Sequence, residues 1–186
     1  MKRVSLKPLE VSDAGEVYEL CRGTFREEYH ITEERILESL FEDPDFSAEE
    51  SKKIVDEKNG RMIGFIGVKV SHNEQLYPAS AWISIFAVKK EEQGKGYGTM
   101  VLNQVCQSLH KNGINKIYVG QDFNNFFSGI PDPDEGKEIF FKKNAVALLT
   151  FWEKASTMVL NKGHLYKIGI HFRNVQDAGF FYFTSV

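Results

Sequence analysis

Three alternate glycines stand between an apolar strand and an amphipathic helix, and few folds accommodate that arrangement. The segment Gln93-Gly94-Lys95-Gly96-Tyr97-Gly98-Thr99 follows residues 80–88, Ser-Ala-Trp-Ile-Ser-Ile-Phe-Ala-Val, which read as a buried strand. After it, Val101, Leu102, Val105, Cys106 and Leu109 recur at helical spacing, and Lys111-Asn112-Gly113 is a helix stop. Residues 114–119 read as the next strand, so the strand–helix–strand unit predicts a parallel pair. Glycine lets a backbone approach a ligand closely and adopt positive φ. The first-turn amides of a helix have no internal partners, and the helix dipole adds to them, so such a turn suits a phosphate or diphosphate. Lys95 adds a positive charge. The spacing Gly-x-Gly-x-Gly fits neither the Gly-x-x-x-x-Gly-Lys-Ser/Thr phosphate loop nor the dinucleotide fingerprint. A tight turn that holds no ligand is the plainer alternative.

Around this unit the pattern is mixed. Residues 2–9 alternate as a first strand. Ser12-Asp13 offers an N-cap for a helix over 14–25, and Thr32 one for a second helix that ends before Pro44. A strand over 52–57 and a rich strand over 62–70 flank Asn59-Gly60, whose dipeptide predicts a hairpin with a type I′ turn. Gly64 and Gly67 inside the second of these strands signal a bulge or a close backbone approach. Residues 121–133 read as a loop with aromatic anchors, 135–143 and 145–160 as helices, and 165–172 and 180–186 as strands. The expectation is a single α/β (α+β) domain over 1–186, with a mixed, mostly antiparallel sheet between helices.

Composition narrows the function. The 186 residues carry a net charge of −3, with 42% hydrophobic and 26% charged residues, as in ordinary globular domains. Residues 1–50 are strongly acidic (net −8) and residues 51–120 basic (net +5). There is no dominant basic face for a nucleic-acid backbone, but a local anion site in the middle third is allowed. No run of about 18 apolar residues predicts a membrane span. The first residues, with no apolar stretch behind them, do not read as a signal peptide. Cys21 and Cys106 fall in helical segments and read as buried thiols of a reducing cytoplasm. No His/Cys spacing suggests a metal.

Gln93-x-x-Gly96-x-Gly98, placed after Ile85-Phe86-Ala87-Val88, resembles the Gln/Arg-x-x-Gly-x-Gly/Ala motif of the GNAT N-acetyltransferases. The element order over 1–119 is similar to that fold as well. The resemblance implies a fourth strand that is bulged and splays from the fifth. It implies acetyl-coenzyme A as donor, with the backbone near Phe86 and Val88 on the pantetheine arm and the amides of Gln93, Gly94, Lys95, Gly96, Tyr97, Gly98 and Thr99 on the diphosphate. An amide near Val88 would then face the oxyanion as an amine attacks the thioester directly. Asn124-Asn125-Phe126-Phe127-Ser128-Gly129-Ile130-Pro131 resembles a loop that some members carry after the fifth strand, and Asn124 is a candidate cofactor contact or turn former.

The end of the chain departs from the family. Phe140-Phe141-Lys142-Lys143-Asn144 and Phe151-Trp152-Glu153-Lys154 lack the Gly-aromatic ending, and neither carries the tyrosine that many members use as general acid. Tyr166 is the nearest downstream tyrosine. Residues 145–186 are therefore the divergent part, open as a cap, a homodimer element or an altered ending. General-base candidates are Glu27, Glu28 and His30 between the first helices, and His72 and Glu74 before the fourth strand. Ser84, on the face shared with Trp82, could line the site. The expected reaction is acetyl transfer to a primary amine of a small molecule or peptide, the acidic first third suiting a cationic acceptor. A catalytically silent coenzyme A-binding module is the alternative.

Overall fold

A computed structural model describes residues 2–120, 122–127 and 140, together with the strand backbones at 130–131, 165–166, 168–172 and 181–184. The strands are β1 (Val4–Pro8), β2 (Lys52–Asp56), β3 (Met62–Val70), β4 (Ser80–Val88), β5 (Lys116–Val119), β6 (Ile130–Pro131), β7 (Leu165–Tyr166), β8 (Ile168–Phe172) and β9 (Phe181–Thr184). Seven of them form one sheet in the order β1-β2-β3-β4-β5-β8-β9, and β6 pairs with β7 separately. Every neighbouring pair is antiparallel except β4 with β5. The strand–helix–strand reading thus placed this parallel pair correctly. The helices assigned to 135–143 and 145–160 lie outside the described residues, apart from Phe140.

Helices cover both faces of the sheet. On one, α3 (Tyr97–Lys111) buries Tyr97, Val101, Leu102, Val105, Cys106 and Leu109 against Ile54, Ile66, Val68, Ala81 and Ile83. On the other, α1 (Ala14–Thr24) and α2 (Glu33–Ile36, continued by a wider turn over Leu37–Phe41) pack Val17, Leu20, Cys21, Ile36 and Leu40 on Phe65, Ile85 and Ala87. Each such aliphatic side chain removed from water contributes about 1.5–3 kcal/mol.

The two glycines of β3 serve different ends. A Cβ on Gly64 would meet the Ala87 carbonyl oxygen at 2.9 Å, and one on Gly67 would meet Leu40 Cδ1 at 2.9 Å. Gly67 therefore lets α2 sit close on the sheet. Beside it the register slips: Gly67 lies opposite Ile85, but Val68 lies opposite Ile83, leaving Ser84 as the extra residue of a bulge. The bulge inverts the alternation of β4. Ala81 and Ile83 belong to the α3-side core, whereas Ile85 and Ala87 belong to the α1/α2-side core.

Two local expectations are corrected. Ser12-Asp13 does not cap α1. Val11–Asp13 is a short 3-10 turn, in which the Asp13 carboxylate accepts from the Glu10 amide at 2.9 Å and pairs with Lys53 Nζ at 2.6 Å. The β2–β3 connection is not a type I′ turn, because only Gly60 (φ 70°) is left-handed there. Asp56 Oδ1 accepts from the Lys58 amide, and Asn59 Oδ1 from the Arg61 amide, which builds a longer turn instead. Thr32 does cap α2, its hydroxyl accepting from the Arg35 amide at 3.1 Å.

Candidate functional site

The β4–β5 ladder runs from Ser80 opposite Lys116 to Ile83 opposite Val119 and stops. The Gly120 amide donates to the Ile83 carbonyl at 2.9 Å, and the chain then leaves the sheet. β4 continues for five more residues, paired to β3 alone as far as Val88. A gap therefore opens beside β4 from Ser84 onward. Amides of an antiparallel strand alternate between its two edges. The Lys89 amide donates to Ile63 on β3, which turns the backbone of Val88 and Phe86 toward the gap. Gln93 agrees with this orientation, since its Nε2 donates to the Val88 carbonyl at 2.9 Å.

The glycine turn lies just beyond the end of β4. Gly94 (φ 73°) and Gly96 (φ 84°) are both left-handed, and open space surrounds the position of a Cβ on either. They are needed for their backbone conformation rather than for room. Gly96 is the N-cap of α3, and the Met100 amide closes the first helical bond on its carbonyl. The amides of 97–99 are the unpartnered first-turn donors of a fifteen-residue helix. Gly98 is different: a Cβ there would touch Phe86 and Phe140 at 3.3 Å. Thr99 is half-buried in the same turn. A backbone cradle at a helix N-terminus, shaped by two left-handed glycines and set at the mouth of a strand gap, suits a diphosphate with an extended arm.

Three side chains named from the sequence do other work. Tyr97 is 1% exposed, and its hydroxyl accepts from the Lys2 amide at 2.9 Å, so it offers the turn only its backbone. Lys95 folds back, its Nζ 2.6 Å from the Glu91 carbonyl and 2.9 Å from Glu92 Oε2. Its charge is thereby shared with a carboxylate that Lys2 also holds at 2.6 Å. Glu92 is held below the usual carboxyl range by Lys2 first and Lys95 second. Asn124 (φ 60°) donates from Nδ2 to the Glu38 carbonyl at 2.9 Å, which fastens it to α2 rather than to the phosphate turn.

Residues 122–127 fold against α2 on the α1/α2 side of the sheet. Arg35 reaches the Phe126 carbonyl at 3.1 Å and the Asn125 carbonyl at 3.4 Å, and Phe126 is buried in the core. Phe127 meets Phe25 and Tyr29 with ring centroids 5.4 Å apart in each case, forming an aromatic wall at the α1–α2 elbow. Glu28 and His30 sit on that elbow but are exposed. Glu28 pairs with Arg26 at 3.4 Å, and His30 is left-handed at φ 46°. His72 is exposed too, bonded to Asp45 at 2.8 Å. Ser84 is 2% exposed at the root of the gap. The backbone of Tyr166 lies in β7, opposite Ile130.

Sequence reasoning missed a buried triad. Lys69 of β3 is 1% exposed. Its Nζ is 2.9 Å from Asp43, pairs with Asp122, and donates to the Phe123 carbonyl at 3.1 Å. A lone lysine in the apolar run Met-Ile-Gly-Phe-Ile-Gly-Val-Lys-Val was the available signal, since such a side chain is buried only when paired. Among the described residues, no group of three or more His, Cys, Asp or Glu could hold a metal ion.

A sheet parted beside its fourth strand, with a glycine turn opening the next helix at the mouth of the parting, defines an acyltransferase architecture. The sequence profile of the Acetyltransferase (GNAT) family matches residues 14–128, and the chain belongs to that family. Among solved structures it is similar to the glucosamine N-acetyltransferase region of a fungal multi-domain GH3 β-N-acetylglucosaminidase. The TM-score is 0.67 at 21% identity, over 77% of this chain and 17% of that one. It is similar to the ribosomal-protein-S18-alanine N-acetyltransferase of Escherichia coli, with TM-score 0.58 and 15% identity over 76% of each chain. It is also similar to the PaiA N-acetyltransferase of Thermoplasma acidophilum in complex with coenzyme A, with TM-score 0.53 and 17% identity over 76% of this chain and 88% of that one. No curated protein matches the sequence. No described helix is long and apolar enough to cross a membrane.

Proposed function

We propose that the protein transfers an acetyl group from acetyl-coenzyme A to a primary amine on a small molecule or peptide. One observation carries this reading: the β4–β5 ladder ends at Ile83 and Val119, and the left-handed turn at Gly94 and Gly96 stands at the mouth of the gap so formed. The family and the coenzyme A complex of one structural relative support it.

Acetyl-coenzyme A supplies an activated acyl thioester. The amides of Gly94, Lys95, Gly96, Tyr97, Gly98 and Thr99 hold its diphosphate, with Gln93 bracing the turn against β4. The backbone of Phe86 and Val88 lines the path of the arm. The Val88 carbonyl is engaged by Gln93, so the Val88 amide is the group left to face charge developing on the thioester oxygen. The acceptor enters from the α1–α2 elbow, past Phe25, Tyr29 and Phe127. The carboxylates of the first fifty residues favour an acceptor that arrives as a cation. A single domain over 1–186 and a reducing cytoplasmic setting for the two buried thiols belong to the same reading.

Isothermal calorimetry with coenzyme A and acetyl-coenzyme A, beside thiol release over a panel of primary amines, tests it. Binding with turnover on at least one amine is expected. Binding with no turnover across a broad panel would instead favour a silent coenzyme A-binding module. The absence of any coenzyme A binding would overturn both readings.

A further inference from the structure

We propose that Asp122 receives the proton which the acceptor ammonium must lose, and that the Ser84 hydroxyl hands it across. The inference rests on the amine-acetylating reading above. Asp122 follows β5 by three residues, on one arm of the gap. Ser84 is the bulge residue of β4, where the other arm begins. Both are buried, the Ser84 residue 2% and the Asp122 side chain 2% exposed. Neither Ser84 Oγ nor Asp122 Oδ2 has a hydrogen-bond partner, although buried polar atoms nearly always have one. The Ser84 hydroxyl lies near enough to favour the Asp122 carboxylate, although no hydrogen bond of ordinary geometry joins them. Two adjacent orphans at the root of a substrate gap point to a third polar group that completes them.

The surrounding charges suit a proton acceptor. Lys69 from β3 engages Asp122 through Oδ1 and is shared with Asp43 from the turn after α2, so the three charges sum to −1. Arg35 of α2 is committed to the carbonyls of Asn125 and Phe126. Burial raises the Asp122 carboxyl above its ordinary range, and Lys69 and Ser84 only partly oppose that. A carboxylate so raised takes a proton more readily than an ordinary aspartate.

The proton balance is simple. One ammonium N–H bond breaks toward Ser84 Oγ, as the Ser84 hydroxyl proton forms an O–H bond on Asp122 Oδ2. The neutral nitrogen then forms a bond to the acyl carbon, and the carbon–sulfur bond breaks. The nitrogen's surplus proton leaves with the thiolate, and Asp122 returns its own proton through the Ser84 hydroxyl once the product has left. Asp122 is thus a positioning residue that acts through Ser84.

The test compares wild type with Asp122→Asn, Ser84→Ala and Ser84→Thr. It reads kcat/KM against pH, coenzyme A affinity by calorimetry, and the carboxyl titration of aspartate labelled with carbon-13. In Asp122→Asn, kcat is expected to fall about 10²–10³-fold, the acid limb of the profile to vanish, and coenzyme A affinity to hold within about twofold. Ser84→Ala should lose about tenfold or more, and Ser84→Thr should recover it. The Asp122 carboxyl resonance should titrate above the ordinary aspartate range and shift in Ser84→Ala. An Asp122→Asn enzyme with full rate and an unchanged acid limb overturns the proposal. So does an Asp122 titration that ignores Ser84→Ala, a readout that needs neither turnover nor a folded Asp122→Asn variant. A wild type that binds no coenzyme A would defeat the functional reading instead.

Discussion

Gln93 Nε2 lies 2.9 Å from the Val88 carbonyl, so the first residue of the glycine turn is clamped to the last residue of β4. The bond couples the strand that would carry the cofactor's arm to the amides that would carry its diphosphate. A neutral hydrogen bond of this kind contributes about 1 kcal/mol. Gln93→Ala should therefore lower the thermal midpoint by about 2–4 °C and weaken coenzyme A binding by up to about fivefold, measured by calorimetry. Wild-type affinity in that variant would show that the turn keeps its shape unaided.

Gly96 at φ 84° and Gly23 inside α1 separate the two uses of glycine. A left-handed conformation costs a residue with a Cβ about 1–2 kcal/mol. Gly96→Ala should lower the midpoint by about 2–8 °C for a chain of this size and weaken coenzyme A binding as well. At Gly23 an added Cβ meets nothing within 4 Å, so Gly23→Ala should raise stability by about 0.5–1 kcal/mol. Urea denaturation of the pair reads both signs.

Lys69→Met would leave Asp43 and Asp122 buried without their cation. Breaking a buried pair in this way costs about 3–5 kcal/mol. Equilibrium unfolding in urea should show a loss of that size. A loss under about 1 kcal/mol would mean the triad adds nothing to stability.

The corner formed by Lys2, Asp56 and Glu92 sets an acid sensitivity. The Lys58 amide and Lys2 hold Asp56 below the ordinary range, and Lys2 with Lys95 does the same for Glu92. A carboxyl depressed in the folded state stabilises above its unfolded pKa and loses that contribution as pH falls through its folded one. Stability should thus decline below about pH 4.5, and Lys2→Met should flatten that decline. Unfolding midpoints at stepped pH measure it.

Burial pushes both the Cys21 and Cys106 thiols up to about 12. The thiolate is the reactive form. At pH 8 the native protein should resist dithionitrobenzoate, and both thiols should react once it is unfolded in guanidinium.

What the sequence made legible was local. Gly94 and Gly96 announced a turn of unusual backbone conformation, because that constraint acts within a few residues, whereas Gly67 signalled a bulge or close approach whose partners, Ser84 and Leu40, lie on other elements. The helical spacing from Val101 to Leu109 marked the face that packs on the sheet. Contacts between distant segments were not legible. Asp13 reads as a cap until Lys53, forty residues away, claims its carboxylate. Lys95 reads as an anion ligand until Glu92 and Lys2 are seen to occupy that corner. The meeting of Lys69, Asp43 and Asp122 depends on three connections closing at once. Asn59-Gly60 failed differently, since Asp56 Oδ1 reaches the Lys58 amide and selects another turn geometry.

The bond from the Lys2 amide to the Tyr97 hydroxyl, with Lys2 Nζ on Glu92, sets the start of β1 against the base of the glycine turn. An affinity handle or fluorescent fusion joined ahead of Lys2 would emerge at that corner, within reach of whatever the turn holds. Binding measurements are best made with the handle at the opposite terminus or cleaved away, because a tail there would crowd the corner that Lys2 and Glu92 hold together.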